Sequence, residues 1–380
     1  MKFIFTSEAV TEGHPDKIAD RIADAVLDAA LKEDKYSRVA CEVVTLTDLV
    51  FIFGEITTNA TIDFESIARR VVKEVGYTEP NRGFDFKTMV VKSNIHPQSA
   101  DIKALVDSSE EKDLGAGDQG IMFGYASDET DVYMPLGSYL SQKLAYKLTE
   151  VRKDGTLPYL LPDGKTQVSV AYDNDKALYI DTVLISAQHK EEVSLDKLRS
   201  DIEKYVVKEI IPSELLTKDT KILINPAGQF VIGGPTGDTG LTGRKTIVDT
   251  YGGYARNGGG AFSGKDPTKV DRSASYALRY LAKNIVAAGI AKRVELQASY
   301  GIGMSKPISL YVNTYGTGKI SDEAIIDMLN KEFDLSPSNI INKLNLRQPI
   351  YEKTSVYGHF GRSEFPWESL DLVDTFKKYL

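Results

Sequence analysis

Three stretches of the chain share one grammar: an apolar strand, a turn, a second apolar strand, a polar gap and an amphipathic helix. The first is CEVVTLTDLVFIFGEITT followed by IDFESIARRVVKEVG. The second is TQVSVAYDNDKALYIDTVLISAQ followed by SLDKLRSDIEKYVVKEI, and the third is VELQASYGIGMSKPISLYVNTYG followed by SDEAIIDMLNKEF. Their first strands begin near Cys41, Gln167 and Glu295, so the period is roughly 127 residues, a domain-sized repeat rather than a solenoid turn. The helices rest on apolar spacing such as Ile67, Val71 and Val75 and on the expected N-caps Ser194 and Ser321. The strand LVFIFGEI is apolar on both faces, so it should be covered twice, once by its own helix and once by another domain or another subunit. Three sheet-plus-helix units meeting by bare sheet faces is the expected architecture.

At 380 residues the chain has room for two or three domains and a buried active site. A net charge of -8 argues against a nucleic-acid binder, whose affinity would come from neutralising phosphates, so any basic cluster must be local. The single cysteine, Cys41, forms no internal disulfide and fits a reducing compartment. The start, MKFIFTSEAV, holds too short an apolar run for a secretory signal, and no window approaches the ~18 apolar residues of a membrane span. A cytoplasmic enzyme is the expectation.

The charged motifs are uneven in what they say. In GHPDKIADRIADAVLDAAL, Pro15 opens a helix, Asp16 sits at its positive end and His14 lies just outside it. This pair is a candidate metal or phosphate site. Asp20, Asp24 and Asp28 continue an i, i+4 column and read as a solvated face. LGAGDQGIMFGYA matches G-x-G-x-x-G through Gly115, Gly117 and Gly120, but it follows the charged SSEEKD and runs into a strand. That is the wrong context for a dinucleotide loop, which leaves Asp118 at the bend as a candidate contact. In LLPDGKTQVSVAY, Asp163-Gly164 reads as a hairpin turn that places Lys165 at a strand start.

The segment GGGAFSGKDPTKVDRS (258–273) almost spells a P-loop with Gly264 and Lys265 in register, but Asp266 stands where the magnesium-binding hydroxyl should be. The wider run from Asn225 to Ser273 contains twelve glycines together with Asp238, Arg244, Lys245, Lys265, Lys269 and Asp271. An ordered loop whose amides and cations surround a polyphosphate, with carboxylates holding divalent metal against it, accounts for this mixture.

GHPDK (13–17), GAGDQG (115–120) and GGGAFSGKDPTKVDRS together resemble the methionine adenosyltransferase, or S-adenosylmethionine synthetase, family over essentially the whole chain. The resemblance implies an α+β fold of three pseudo-threefold-related repeats, each a mostly antiparallel sheet with helices on one face. Repeats are expected at 1–101, 114–232 and 233–380, exchanging segments near 1–12, 102–128 and 234–273. It implies ATP and L-methionine as substrates, two Mg2+ ions and K+ as cofactors, and a homodimer with shared active sites, arranged as a dimer of dimers.

By motif match, His14, Lys165, Arg244, Lys265 and Lys269 are the expected catalytic residues. Asp118, Asp163, Gly164, Gln229, Phe230, Asp238, Lys245 and Ala261 join His14, Lys165, Arg244 and Lys265 in the ATP site, with Phe230 stacking on adenine. Glu55, Gln98, Asp238 and Lys269 would line the methionine pocket, Asp16 and Asp271 would serve magnesium, and Glu42 potassium. One departure is visible: Gln229, in AGQF, stands where the family commonly has a cation. His96, His189 and His359 are expected to be structural or superficial, and QSADIKALVDSSEEKD (98–113) is expected to be a mobile cover over the site.

The implied reaction needs no general base, because a neutral methionine sulfur attacking C5′ of ATP has no proton to lose. The triphosphate leaving group is what needs help, from placed cations and metal, each worth a few kcal/mol of barrier.

Overall fold

The computed structural model of the chain describes residues 2–80, 82–98 and 114–380. All but Gln98 of the expected cover at 98–113 lies outside these residues.

Each repeat contains a leading strand, a long helix, an antiparallel hairpin and a second helix. In the first these are β1 (Lys2–Val10), α1 (Pro15–Glu33), β2 (Arg38–Leu46) with β3 (Leu49–Thr57), and α2 (Phe64–Val75), closed by β4 (Val90–His96). In the second they are β5 (Gly120–Ser127), α3 (Leu136–Lys153), β6 (Leu160–Asp173) with β7 (Lys176–His189), and α4 (Leu195–Ile202), closed by β8 (Lys221–Ile224). The third has β9 (Gly240–Leu241), α5 (Val270–Ala287), β10 (Arg293–Tyr300) with β11 (Ser309–Asn313), and α6 (Asp322–Glu332). Ser194 and Ser321 do cap α4 and α6, accepting from the amides of Lys197 and Ala324.

The leading strands are exchanged in a ring. The sheets run β9-β2-β3-β4, β1-β6-β7-β8 and β5-β10-β11, so each leading strand lies beside the hairpin of the following repeat, and β9 returns to the first. Each joins its hairpin antiparallel, whereas β4 and β8 run parallel to β3 and β7. The result is the expected α+β fold with mainly antiparallel sheets.

Strand β3 has one face in the core, through Val50, Ile52 and Ile56. Its other face carries Phe51 and Phe53, half-exposed and stacked with ring centroids 5.2 Å apart, and the exposed Glu55. Among the described residues, only the first of the two expected covers is supplied by this chain.

Two sequence expectations are corrected. Asp163-Gly164 is not a hairpin turn: it lies inside β6, where the register against β7 shifts between Leu160 and Gly164, and the reversal comes at Asn174, whose φ is 53°. A bulge and a turn share the same glycine-containing signature, and the long β1 partner keeps this one extended.

The aspartate column of α1 is not a solvated face. Asp20 and Asp24 are fully buried, and Asp28 is half-buried. Each carboxylate accepts backbone N–H groups from the third repeat: Asp16 from Leu241, Asp20 from Gly243, Asp24 from Gly264, and Asp28 from Tyr351 and Glu352. Loop amides with no strand partner need acceptors, and a column repeating every 4 residues along one helix face offers them in register.

Burial pushes the Asp28 carboxyl up to about 7, against the opposing hydrogen bonds from Glu352 and Tyr351. A folded pKa above the unfolded one means that the native state binds the extra proton. Asp28 therefore costs the fold nothing below about pH 4 and progressively more as pH rises through 4 to 7. Relative to wild type, Asp28→Asn should gain on the order of 2 kcal/mol between pH 5 and pH 8 in urea denaturation. A difference between the two proteins that does not move with pH would contradict this.

Candidate active site

The first group of site residues is assembled by the β1–β6 pairing and the start of α1. Val10 lies opposite Lys165, Thr11 N donates to Gly164 O at 3.0 Å, and the chain then turns through Gly13. A Cβ at Gly13 would fall 2.2 Å from the Pro162 carbonyl, so only glycine lets His14 approach β6. His14 caps α1, its Nδ1 accepting from Asp16 N at 3.2 Å. That bond leaves the proton of the neutral ring on Nε2. Burial, followed by the charge of Lys245, holds His14 down to about 3, so it is a neutral donor at physiological pH.

Asp16 is buried and meets two cations from the loop after β9: Arg244 Nε at 2.8 Å on Oδ1, and Lys245 Nζ at 2.5 Å on Oδ2. Burial raises its pKa, but the bonds from Lys245, Leu241 and Arg244 outweigh that and hold it below the usual carboxylate range. Beneath lies Lys17, buried between Asp20 at 2.8 Å and Asp249 at 2.5 Å. Burial opposes its charge, yet the two carboxylates hold Lys17 above the ordinary lysine range.

Asp163, Phe230 and Asp238 adjoin this group. Asp163 Oδ2 accepts from Gly234 N at 2.8 Å, its Oδ1 is buried without a protein partner, and burial raises the carboxyl to about 6, with the charge of Asp238 adding to it. Phe230 is half-buried, and its backbone is fixed twice by His189, whose N–H donates to Phe230 O at 2.9 Å and whose Nε2 accepts from Phe230 N at 3.1 Å. His189 thus has the expected structural role, fixing the backbone that carries the Phe230 ring. His359 is also buried and structural, with Nδ1 2.8 Å from the Tyr276 hydroxyl. Gln229, Asp238, Lys165 and Arg244 are exposed.

The second group follows the free edge of β2, where Gly240–Thr242 and then Gly264–Asp266 dock in turn. Cys41 N donates to Gly264 O at 2.9 Å, Asp266 N to Val39 O at 3.1 Å, and Lys265 bridges Ala40. Gly264 has φ +79°, and a Cβ there would lie 2.0 Å from Cys41 O. Lys265 Nζ reaches Asp271 Oδ2 at 2.6 Å, and Lys269 pairs with the buried Asp266. The GAGDQG bend lies against the same loop, with Gly117 N on Thr268 O at 3.0 Å. A Cβ on Gly117 would be 2.8 Å from that oxygen, and one on Gly260, beside Ala261, would be 2.3 Å from Asp271 Oδ1. Gly117 permits close backbone packing, and the bend leads into β5 with no dinucleotide-type helix after it.

Glu42 and Glu55 share the open face of this sheet, since Glu42 pairs with Phe53 and Ala40 with Glu55. Burial raises Glu42 to about 7, Lys265 opposes this, and Asp20 and Glu55 add to it. Gln98 lies at the same end, its N–H on the Thr57 hydroxyl at 2.9 Å.

The structure therefore gathers the sequence-derived candidates into two groups along β2. The β9 docking point at Val44 and the Lys265 bridge at Ala40 are four residues apart, or about 13 Å of strand. Among the described residues no cluster of three His, Cys, Asp or Glu side chains is poised to hold a metal. Single carboxylates completed by phosphate oxygens and water suit magnesium, and Asp16 and Asp271 fit that description. Sequence reasoning missed Lys17, Asp24, Asp249 and Arg272. The alanine-rich flanks of α1 are a sign that this helix is enclosed on most sides, but nothing in the spacing marks the distant partners of Asp24, Asp249 and Arg272.

Lys165→Met or Arg244→Met should fold normally, as checked by circular dichroism, and lose at least ~100-fold of the adenosyl transfer that the motif resemblance implies. Full turnover in either variant would remove that residue from the site.

Three family models match the chain: S-adenosylmethionine synthetase, N-terminal domain, over residues 2–100; its central domain over 113–230; and its C-terminal domain over 232–369. The S-adenosylmethionine synthase of Clostridium botulinum strain Alaska E43 is 55% identical over 391 aligned positions, and that of Clostridium tetani is 54% identical. Both alignments cover 100% of each chain. The motif resemblance is borne out: the chain belongs to the S-adenosylmethionine synthetase family.

Proposed function

We propose that this methionine adenosyltransferase binds ATP and L-methionine in a site completed by two chains, and that its catalytic cations exchange partners when substrate arrives. The carrying observation is the pairing of expected phosphate-binding cations with expected metal-binding carboxylates: Arg244 and Lys245 with Asp16, and Lys265 with Asp271. The triphosphate draws the cations, and two Mg2+ ions, which neutralise and polarise the phosphates when bound, would be held by Asp16 and Asp271. Potassium would be held by Glu42, whose raised pKa marks a carboxyl short of positive charge.

Adenine stacks on Phe230, and the unsatisfied Asp163 oxygen and Asp238 accept from the nucleoside. Methionine lies near Glu55 and Gln98, with Lys269 and Asp238 reaching its amino acid end. The sulfur attacks C5′ with its own lone pair, the C5′–O bond breaks, and the leaving oxygen takes up negative charge. Neutral His14 donates from Nε2 to that oxygen, while Lys165, Arg244, Lys245 and Lys265 stabilise the charge on the phosphates. The triphosphate is then hydrolysed to pyrophosphate and phosphate.

Among the described residues no helix is long and apolar enough to cross a membrane, and a cytoplasmic location fits the lone buried thiol. Incubation with ATP, methionine, Mg2+ and K+ should yield S-adenosylmethionine, and its absence would overturn the reading.

The division of the candidates into two groups, with the apolar sheet face of Phe51 and Phe53 open beside Glu55, supports sharing between subunits. In an isologous dimer, the Arg244 group of one protomer meets the Glu55 group of its partner. A Glu55→Ala chain and an Arg244→Met chain, unfolded and refolded together, would then place both defects in one site and leave the other intact. Up to about a quarter of wild-type activity should return, from random pairing into half heterodimers with one good site each. If no activity returns, both residues come from the same chain.

A further inference from the structure

We infer that Arg272 and Asp24 are a positioning pair that sets the separation between Lys265 and Asp271, an inference that rests on the phosphate and magnesium roles proposed for those two residues. Arg272 is fully buried in the first turn of α5, next to Asp271. Its fork bonds the Asp24 carboxylate twice, Nη1 to Oδ1 at 2.6 Å and Nη2 to Oδ2 at 3.0 Å. Nη1 also donates to the carbonyls of Phe262 at 2.9 Å and Lys265 at 3.3 Å, Nη2 to the Thr354 hydroxyl at 2.9 Å, and Nε to the Tyr276 hydroxyl at 3.0 Å. Asp24 in turn accepts from Gly264 N at 2.9 Å. Phe262, Gly264 and Lys265 are therefore gripped from α5 and α1 at once, around the residue whose ammonium meets Asp271.

Nothing in the chemistry of stability requires this arrangement. A buried ion pair returns little net stability over an apolar pair of similar size, because both ions lose their hydration. What it gives is geometry. A planar guanidinium with five N–H groups can hold two loop carbonyls, a carboxylate and two hydroxyls at once in a fixed fork, which a lysine cannot do. The loop has no helix or long strand of its own to hold it, and Gly264 must lie flat on β2. Without the clamp, Lys265 and Asp271 are still present, but their spacing is no longer fixed, and a misplacement of about 1 Å can cost up to about 100-fold in rate.

The test compares wild type, Arg272→Lys and Lys265→Met. Amide hydrogen exchange over residues 260–269 is followed without ligand, inorganic tripolyphosphate with Mg2+ is titrated by calorimetry, and kcat and KM are measured for both substrates. In Arg272→Lys, exchange at Gly264 should quicken by about tenfold or more and tripolyphosphate should bind about tenfold more weakly. Its kcat should fall by about 10–100-fold with KM for methionine nearly unchanged. A folded Arg272→Lys with a lower melting temperature but wild-type exchange, tripolyphosphate affinity and kcat would show a purely structural role and overturn the inference.

If Arg272→Lys does not fold, Thr354→Val removes one acceptor from the fork and keeps the ion pair. It should shift exchange and affinity in the same sense by about 2–5-fold, and no shift would again overturn the inference. Unaltered tripolyphosphate binding by Lys265→Met would instead remove the phosphate role of the loop, a failure that the Lys265 arm alone reports.

Discussion

Four carboxylates on one stripe of α1 hold the working part of this molecule together. Asp16, Asp20, Asp24 and Asp28 each accept backbone N–H groups from a different point in the third repeat, at Leu241, Gly243, Gly264 and Tyr351–Glu352. The segments around Leu241, Gly243 and Gly264 are rich in glycine and poor in regular structure, so their ordering costs conformational entropy that local packing cannot offset. The helix supplies acceptors at a fixed rise, so loops distant in sequence are arranged on one ruler. Like charges at this spacing repel, and the structure answers each with a cation or with amide donors: Arg244 and Lys245 at Asp16, Lys17 at Asp20, Arg272 at Asp24.

The ring exchange of leading strands serves the same end. Because β1 joins the second sheet, His14 is carried to Lys165; because β9 joins the first, Arg244 and Lys245 are carried to Asp16. One repeat alone would present no complete group. Arg244 and Lys245 are paired with Asp16 across repeats, and Lys265 with Asp271 within the third, so on the proposed reading a charged substrate would replace one set of ion pairs by another without desolvating bare ions afresh.

Much of this was legible in the sequence. The strand-turn-strand-helix grammar located all three hairpins and the capped helices, because period 2 and period 3.6 survive in residues such as Val50, Ile52 and Ile67, Val71. The motifs named the family through GHPDK and the 258–273 loop. Two readings failed for a common reason. Asp163-Gly164 looks like a turn, and Asp20, Asp24 and Asp28 look solvated, only when the partner segment is unknown. Strand β1 keeps the first extended, and loops more than 200 residues away bury Asp20 and Asp24. Burial of a charge is decided by its partner, and a partner so distant leaves no periodic trace. Arg272 was hidden in the same way, inside a motif whose lysines and aspartates drew the functional reading.

The central claim is that α1 and its clamps stay fixed while Arg244, Lys245 and Lys265 change partners. A crystal structure with S-adenosylmethionine, an unhydrolysable triphosphate analogue and Mn2+ in place of Mg2+ tests it directly. The account predicts Arg244, Lys245 and Lys265 on phosphate oxygens and anomalous metal signal beside Asp16 and Asp271, with the Asp24–Arg272 bonds and the Gly264 contact unchanged. Asp16 still paired with Arg244 and Lys245, with metal bound elsewhere, would contradict it.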